Sequence, residues 1–423
     1  MRLLVRGGRV IDPASGLDAQ ADVLIENGKI VGVGPGLSQS GEVFDATGMI
    51  VAPGFIDMHV HLREPGFEHA ESIETGSRAA AAGGFTSICP MPNTSPVNDN
   101  ATVTSYIIEK ARRTAPVNVY PIGAITKGST GEELAAIGSM KRAGAVAISD
   151  DGRPVMNARV MRRAMEFANN LGIPGINHCE DLHLSSGGDM HEGMESVRLG
   201  LRGIPAASED VMVARDILLA ELTGVHYHIA HISSSRSVAM AQFAKAKGLR
   251  VTAEATPHHL ALADADMQPY DSNYKMKPPL RETHDVSAVV EGVVNGAIDA
   301  IATDHAPHAG SEKMQEFEKC PFGILGLETA IGISLEKLVL NGRISLNRFV
   351  ELFTTGPARI LKLDRGTLAA GAAADLTIFS LERKWTYDVN KSFSKSRNSP
   401  YHGVSFRGGP VATIVNGAIV WQA

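Results

Sequence analysis

The stretch VAPGFIDMHVHLREPG, residues 51–66, ends a short apolar run with two histidines and an arginine. In a β-strand, residues two apart point to the same face, so His59 and His61 project together. Two protonated imidazoles at this spacing repel each other, and their burial is costly unless their nitrogens are satisfied. A divalent metal ion satisfies them, because neutral imidazole is its commonest protein ligand. For this pair taken alone, two unrelated surface histidines remain the alternative.

The composition is that of a globular protein without a nucleic-acid or membrane partner. The 423 residues can bury a large core, which suggests one big domain and a smaller one. Hydrophobic residues make up 44% and charged residues 20%, and the net charge of −6 provides no basic stripe for nucleic acid. No apolar run approaches the length of a membrane span, and the N-terminus lacks the pattern of a signal peptide.

The cysteines indicate the cellular compartment. Cys89, Cys179 and Cys320 are odd in number and widely spaced, which argues against a disulfide framework. A reducing environment is the simplest explanation, so we expect a cytoplasmic protein.

Short apolar runs alternate with helical patterns from residue 53 to residue 364. The runs are FIDMHVH, TSICPMPN, NVYPIGAI, AVAISDD, PGINHCE, HYHIAHIS, VTAEATPHH and AIDAIATDHAPH. Eight strand–helix units of this kind indicate an α/β protein built on a closed parallel (β/α)8 TIM barrel.

One intervening segment, SEDVMVARDILLAELTG, shows how the helices are predicted. Ser208 can cap the helix N-terminus, and Gly224 stands where a helix commonly ends. The spacing predicts one apolar stripe of the kind that faces a core, made of Val211, Ala214, Ile217, Leu218 and Leu222.

The two ends of the chain depart from this alternation. Residues 1–52 contain hairpin-like strands around an Asn27-Gly28 turn, and residues 365–423 contain strands around an Asn416-Gly417 turn. We expect the two ends to form the halves of one small β-sandwich beside the barrel. Two unrelated terminal extensions are the alternative, which the strand-rich character of both ends disfavours.

Metal-type ligands stand at the ends of five of the eight runs. They are His59 and His61 in the first, Asp150 and Asp151 in the fourth, His178 in the fifth, His231 in the sixth and Asp304 in the eighth. The carboxyl ends of barrel strands share one face, so six ligands converge there when one of the adjacent aspartates is counted. Imidazole and carboxylate together suit Zn²⁺, with Mn²⁺ or Co²⁺ as chemical substitutes. Six ligands suit two ions bridged by a carboxylate and a hydroxide.

Nine motifs follow one another between residues 45 and 365. They are DMHVHLREPG, MPNTSP, SDDG, HCED, AHIS, TPHHL, KPPLR, ATDHAPH and PFGILGLET. Together they closely resemble the type I bacterial dihydroorotases of the amidohydrolase superfamily. The resemblance implies a hydrolase that interconverts L-dihydroorotate and N-carbamoyl-L-aspartate in de novo pyrimidine (UMP) biosynthesis. It also implies two Zn²⁺ ions bridged by Asp151 and hydroxide.

By position in these motifs, the resemblance assigns a role to each site residue. One ion would be held by His59, His61, Asp151 and Asp304, and the second by Asp151, His178 and His231. Asp304 would also be the catalytic base and acid. The substrate would be bound by His61, Arg63, Asn93, Lys277, His308, Phe322 and Gly323. Lys277 is a departure, because many relatives have asparagine at this place in the motif.

Two other functions compete with this interpretation. Hydantoinases and allantoinases usually bridge their metals with a carbamylated lysine on the fourth strand, whereas GAVAISDDG has no lysine. A non-catalytic barrel that serves as an assembly partner would have lost its ligands, and this chain keeps all six. The resemblance further implies a homodimer that acts on a small molecule, with association with aspartate carbamoyltransferase as a possibility.

Overall fold

The structure is a computed structural model that describes residues 2–37 and 41–423. The strands among these residues, in chain order, are β1 Arg2–Asp12, β2 Leu17–Glu26, β3 Lys29–Gly34, β4 Glu42–Asp45, β5 Ile50–Pro53, β6 Phe55–Val60, β7 Phe85–Pro90, β8 Asn118–Val119, β9 Gly175–Asn177, β10 Met190–His191, β11 Gly203–Ile204, β12 Tyr227–Ile229, β13 Val251–Ala255, β14 Ala300–Ile301, β15 Leu376–Thr386, β16 Ser405–Val415 and β17 Ala418–Gln422.

Helices fill most of the connections between the strands. The α-helices are α1 Ile73–Ala82, α2 Ala101–Thr114, α3 Ile137–Ala143, α4 Ala158–Leu171, α5 Met194–Leu199, α6 Ala207–Thr223, α7 Ser235–Ala246, α8 Pro257–Ala261, α9 Thr283–Asn295, α10 Gly310–Lys313, α11 Ala330–Ser334, α12 Leu346–Phe353 and α13 Thr355–Leu361. Short 3₁₀ turns lie at Lys127–Ser129, Asp264–Asp266, Ser272–Tyr274, Phe317–Lys319 and Val389–Lys391, and a π-helical turn lies at Leu335–Leu340.

Parallel strands form the predicted barrel. β6, β7 and β8 pair in one group, and β9, β12, β13 and β14 pair in another. Ile148, in the fourth apolar run, joins the groups through bridges to Gly123 and Gly175. A bridge between Val60 and His305 closes the ring. The α/β barrel predicted from the eight runs is therefore confirmed, although the fourth run contributes the two bridges of a single residue, Ile148, instead of a full strand.

Both ends of the chain contribute to one eight-stranded sheet, which runs in the order β17, β16, β15, β5, β1, β2, β3, with β4 paired to β1. Its strands share a hydrophobic cluster of their own, which includes Val5, Val23, Leu376 and Ile414. The expectation that the two ends combine in one β-structure is confirmed, whereas the arrangement of its strands as a sandwich stays a prediction. The domain limits at residues 52 and 364 stay a prediction.

Aromatic packing and hydrogen bonds join this sheet to the barrel. Phe55 on β6 stacks on Phe353 of α12 with ring centroids 4.9 Å apart, and it also meets Phe379 of β15 at 5.8 Å. The Phe55 N–H donates to Thr377 Oγ1 at 2.9 Å, and that hydroxyl donates to the carbonyl of Gly84 at 2.7 Å. The first barrel strand thus begins on the terminal sheet.

The apolar stripe predicted on α6 to face the core faces solvent instead, so this prediction is wrong. Val211, Leu218 and Leu222 are 44%, 65% and 62% exposed, while the inward face carries mostly polar residues. The helix begins one residue before Ser208, which is buried and does not cap it, and it ends at Gly224 as predicted.

Polar residues on the inner face of α6 are buried because they bind the loop after β12. Glu209 accepts hydrogen bonds from the backbone N–H groups of Ser233 and Ser234, and Asp210 accepts one from the Ser234 hydroxyl. Periodicity alone could not reveal this, since the hydrogen-bond donors come from another segment of the chain.

None of the helices formed by residues 2–37 and 41–423 combines the length and the apolar character needed to cross a membrane.

Replacing the stacked ring at the barrel–sheet junction tests this packing. Phe353→Ala should lower the free energy of unfolding by about 3–5 kcal/mol, because it leaves a cavity beside Phe55. Phe167→Ala, at a 55% exposed position of α4, is the control and should change it by less than about 0.5 kcal/mol. Denaturant unfolding measures both, and equal effects would contradict the assigned role of the junction.

Candidate metal centre

Six buried side chains converge at the carboxyl ends of the barrel strands. They are His59, His61, Asp151, His178, His231 and Asp304, each no more than 4% exposed. They come from the first, fourth, fifth, sixth and eighth apolar runs, so the structure brings together all six ligands expected from the sequence. Three overlapping groups of three among them place their ligand atoms within 4.8 Å of one another.

Asp151 lies at the centre of this cluster. Its Oδ1 is 3.3 Å from His59 Nε2, 3.5 Å from His231 Nε2 and 3.7 Å from His178 Nδ1. Its Oδ2 is 3.4 Å from His61 Nε2. One carboxylate thus lies within 3.7 Å of all four imidazoles.

The adjacent aspartate is turned away. Asp150 accepts hydrogen bonds from the backbone N–H groups of Ile125 and Thr126 at 2.8 and 3.1 Å, and also from the Thr126 hydroxyl. Asp151, the aspartate that the resemblance assigned to the metals, is therefore the one of the two that points into the cluster.

Asp304 closes the cluster on the side of the eighth strand. Its Oδ1 lies 3.0 Å from His61 Nε2 and 3.5 Å from His59 Nε2. Burial would raise the pKa of Asp304, but the charge of His59 and the hydrogen bond and charge of His61 lower it to about 2. The carboxylate is therefore ionised near neutral pH and available to a metal ion or a proton.

Three of the imidazoles are held from behind by a hydrogen-bond partner. His59 Nδ1 lies 2.7 Å from Glu254 Oε1, and His61 Nδ1 lies 2.9 Å from Asn93 Oδ1. His178 Nε2 lies 2.9 Å from Glu180 Oε2. Since each partner oxygen accepts a hydrogen bond from the N–H of the outer nitrogen, the inner nitrogen of each neutral ring keeps a lone pair directed at the cluster.

Glu254 is a functional residue that sequence reasoning missed. It is fully buried on β13, and its second oxygen lies 3.1 Å from His228 Nε2. Its Oε1 also accepts the backbone N–H of His231 at 3.3 Å. A glutamate in the middle of the apolar run VTAEA was the available signal, because a buried carboxylate requires partners.

The cluster favours positive charge at its centre. Burial would lower the pKa of His59, but the negative charges of Asp151, Asp304 and Glu254 outweigh burial and raise that pKa well above its usual value. His59 Nε2 and Asp151 Oδ1 are buried and make no hydrogen bond. Imidazole nitrogens and carboxylate oxygens brought together in a buried cluster fit a divalent cation such as Zn²⁺.

The backbone is strained at three site residues. Arg63, His231 and Asp304 have φ angles of 61°, 31° and 46°, in the left-handed region that side chains other than glycine rarely adopt. Such conformations persist only where the surrounding structure enforces them, and they cluster at functional sites.

The residues expected to bind a carboxylate lie beside the cluster. Arg63 Nε donates to the carbonyl of Pro307 at 3.1 Å, and its Nη2 lies 3.3 Å from His308 Nε2. Within the described part of the chain, no carboxylate oxygen lies within 4.0 Å of this guanidinium, so the ion pair that would have explained Arg63 structurally is not formed. Asn93 uses its Oδ1 on His61, which leaves its amide N–H groups for another acceptor.

The remaining predicted substrate contacts are already engaged within the protein. The Phe322 carbonyl lies 2.9 Å from His308 Nε2, and the Gly323 N–H donates to the carbonyl of Lys275 at 2.8 Å. Lys277 Nζ donates to Glu180 Oε1 at 2.6 Å. Gly323 has a φ of +156°, and a Cβ there would lie 2.5 Å from the carbonyl oxygen of Ala306, so no larger residue fits.

Solved structures similar to this chain share its whole architecture. The L-hydantoinase (dihydropyrimidinase) from Arthrobacter aurescens has a TM-score of 0.90 at 25% identity, with coverage of 99% of this chain and 96% of that chain. The dihydropyrimidinase from Brevibacillus agri has a TM-score of 0.87 at 26% identity, with coverage of 100% and 95%. Together with the buried histidine–aspartate cluster, the fold defines a metal-dependent cyclic amidohydrolase.

Sequence comparison narrows this class. A family model described as "Dihydro-orotase-like" matches residues 48–237. The dihydroorotase of Solibacter usitatus is 70% identical over 423 residues, which is 100% of this chain and 98% of the relative. The dihydroorotase of Pelotomaculum thermopropionicum is 55% identical over 423 residues, which is 100% of this chain and 99% of the relative. The chain belongs to the dihydroorotase family.

Metal binding should stabilise the folded protein. Adding Zn²⁺ to chelator-treated protein should raise its Tm, because an ion that binds only the folded state at 100 times its Kd contributes about 2.7 kcal/mol. His59→Ala should abolish most of this shift, whereas His183→Ala, at an exposed histidine, should keep it. Differential scanning fluorimetry measures the shift, and an equal shift in both variants would place the metal elsewhere.

Proposed function

We propose that this protein is a dihydroorotase that reversibly hydrolyses the cyclic amide of L-dihydroorotate to N-carbamoyl-L-aspartate, a step of de novo pyrimidine (UMP) biosynthesis. The observation that carries the proposal concerns Arg63, two residues from His61: among the described residues no carboxylate oxygen lies within 4.0 Å of its guanidinium. A ring that bears a carboxylate supplies that partner. A hydantoin ring has no such group, so this feature favours dihydroorotate.

The proposal assigns His59, His61, Asp151 and Asp304 to one Zn²⁺ ion and Asp151, His178 and His231 to a second. When bound, the ions supply Lewis acidity towards the ring carbonyl and acidify a water molecule. The contacts of Asp151 with all four imidazoles support its role as the shared ligand. A carboxylate in this place also removes the need for a carbamylated lysine, since the fourth run has no amine.

Asp304 is the proposed general base and acid. Its low pKa keeps the carboxylate ionised, so it can accept a proton from the attacking water. Opening the ring breaks the carbon–nitrogen bond of the cyclic amide, and the same carboxyl group returns the proton to the leaving nitrogen. Its constrained backbone holds it in one orientation through both transfers.

Arg63, Asn93 and His308 are the proposed carboxylate-binding residues. The guanidinium offers a planar fork, and its Nε is fixed by the carbonyl of Pro307. Asn93 couples substrate binding to the metal centre, because its Oδ1 contacts His61 while its N–H groups can donate to the substrate. Binding at the carboxylate thereby orients the amide towards the cluster.

Three further aspects belong to the proposal. The exposed side chains of Val211, Leu218 and Leu222 on α6 support a homodimer, because large apolar groups in water favour association. Three free, buried cysteines support a reducing, cytoplasmic environment. Association with aspartate carbamoyltransferase stays a prediction.

A direct assay tests the function. Purified protein should hydrolyse dihydroorotate much faster than hydantoin or allantoin, with two equivalents of zinc in the same sample, and added bicarbonate should not increase the rate. Preference for hydantoin would support the hydantoinase alternative. Protein that holds no metal and hydrolyses none of the three would support a non-catalytic assembly partner.

Asp304→Asn should retain at least one metal ion and lose most turnover. A positioned acid–base group contributes roughly 10²- to 10⁴-fold to the rate, and the amide cannot take up the proton. Steady-state kinetics with metal analysis on the same sample measures both properties. Near-wild-type turnover would contradict the assignment.

Arg63→Met should weaken binding of dihydroorotate far more than binding of dihydrouracil, the same ring without the carboxylate. The loss for dihydroorotate should be about 1.5–3 kcal/mol, the contribution of a hydrogen bond to a charged group. Arg113→Met, which removes an exposed arginine in the last turn of α2, is the matched control. Competitive inhibition measures the affinities, and equal losses for both rings would make Arg63 a structural residue.

A further inference from the structure

Lys277, Glu180 and His178 form a continuous chain of contacts that leads into the metal centre. Lys277 Nζ lies 2.6 Å from Glu180 Oε1, and Glu180 Oε2 lies 2.9 Å from His178 Nε2. The ring of His178 then presents its Nδ1 to the cluster, 2.8 Å from His231 Nε2 and 3.7 Å from Asp151 Oδ1. The lysine therefore touches a residue that touches a proposed ligand.

This chain of contacts determines which nitrogen of His178 carries the proton. A carboxylate accepts hydrogen bonds only, so Glu180 requires a proton on Nε2. The proton on Nε2 leaves Nδ1 of the neutral ring with the lone pair that a metal ion needs. A carboxylate behind a metal-binding histidine fixes both the tautomer and the orientation of the ring.

An ion pair with Lys277 holds the carboxylate of Glu180 in place. The glutamate side chain is 7% exposed. Among the described residues, the ammonium group of Lys277 is the lysine or arginine cation that lies within 4.0 Å of its carboxylate. A buried carboxylate that loses its ion-pair partner is strongly destabilised, so the Lys277–Glu180 pair holds this carboxylate against His178. Asparagine, the residue of many relatives at this position, can donate a hydrogen bond but cannot supply the charge.

The position of the lysine is also restricted from the other side. Its Nζ lies 4.8 Å from the centre of the Phe322 ring, and the side chain is 27% exposed. The ammonium group is thus held between an aromatic face and a carboxylate, an arrangement that favours a fixed location. A group committed to these two partners is poorly placed to follow a substrate carboxylate.

We propose that Lys277 is a positioning residue that acts through Glu180 to orient His178 for the second metal ion, and that it is not a direct contact to the substrate. The inference rests on the proposed two-metal function. It deepens that function, because it explains how this chain accommodates a lysine where many relatives have asparagine.

The two roles of Lys277 predict different measurements. A positioning residue affects the affinity for metal, and it affects turnover only while the second ion is lacking. A substrate contact affects KM for dihydroorotate and leaves metal affinity unchanged. Metal titration in the absence of substrate therefore separates them.

The experiment uses the full-length protein after chelator treatment, with Co²⁺ as the probe and its visible absorption as the readout. Lys277→Met and Glu180→Gln should each weaken binding of the second Co²⁺ equivalent by about 10-fold or more, the effect typical of partners behind a metal ligand. The double variant should be no weaker than Glu180→Gln alone, since both residues act in one chain. Lys277→Arg should retain most of the affinity.

Two controls keep the outcomes distinct. Lys319→Met breaks an exposed lysine–glutamate pair with Glu316 and should leave Co²⁺ binding unchanged. Lys277→Asn introduces the residue of the relatives, so it should fold, and it should behave like Lys277→Met. At saturating metal, KM for dihydroorotate should change less than two-fold in the Lys277 variants.

Unchanged Co²⁺ affinity together with a raised KM would overturn the inference and make Lys277 a substrate contact, while leaving the proposed function intact. Additive losses in the double variant would also overturn it, because the two residues would then act separately. Wild-type protein that binds no Co²⁺ and hydrolyses no dihydroorotate would overturn the proposed function, and the inference with it.

Discussion

The carboxylate of Asp151, enclosed by four imidazoles, is the interaction on which the mouth of the barrel depends. Two aspartates and four histidines buried together would repel or titrate unless their polar atoms had defined partners. Residues that surround the cluster supply these partners. Glu254, Asn93 and Glu180 each hold the outer nitrogen of one ring, so the inner nitrogens face a common centre. A divalent cation supplies the charge that such a centre favours.

The strand that carries the first two histidines is fixed at both ends. At its start, Phe55 is packed between α12 and the terminal sheet and hydrogen-bonded to Thr377. Near its end, the His61 N–H donates to the carbonyl of His305 at 2.9 Å, next to Asp304. The terminal sheet therefore supports the register of the strand whose last residues form the site. That link explains why strands from both ends of the chain accompany the barrel.

The substrate side of the mouth is built differently from the metal side. The proposed metal ligands are enclosed and held in several directions, whereas the guanidinium of Arg63 has no ion-pair partner in the described part of the chain. The loop that carries Phe322 and Gly323 is tied down by buried lysines. Lys313 Nζ donates to the carbonyl of Pro321, and Lys275 Nζ donates to that of Phe317. A fixed loop, together with a guanidinium that has no carboxylate partner within residues 2–37 and 41–423, suits a small anionic ring.

The sequence by itself determined the barrel and the proposed ligands. Eight apolar runs set the number of strands, and the spacing of His59 and His61 places both on one face because strand residues alternate. The partners behind the ligands were decided only by the tertiary structure. Glu254 and Lys277 lie far along the chain from the histidines they support. The polar face of α6 is turned inward because the loop after β12 supplies hydrogen-bond donors to it. Periodicity reports on neighbours in sequence, whereas these contacts join segments that meet only when the barrel closes.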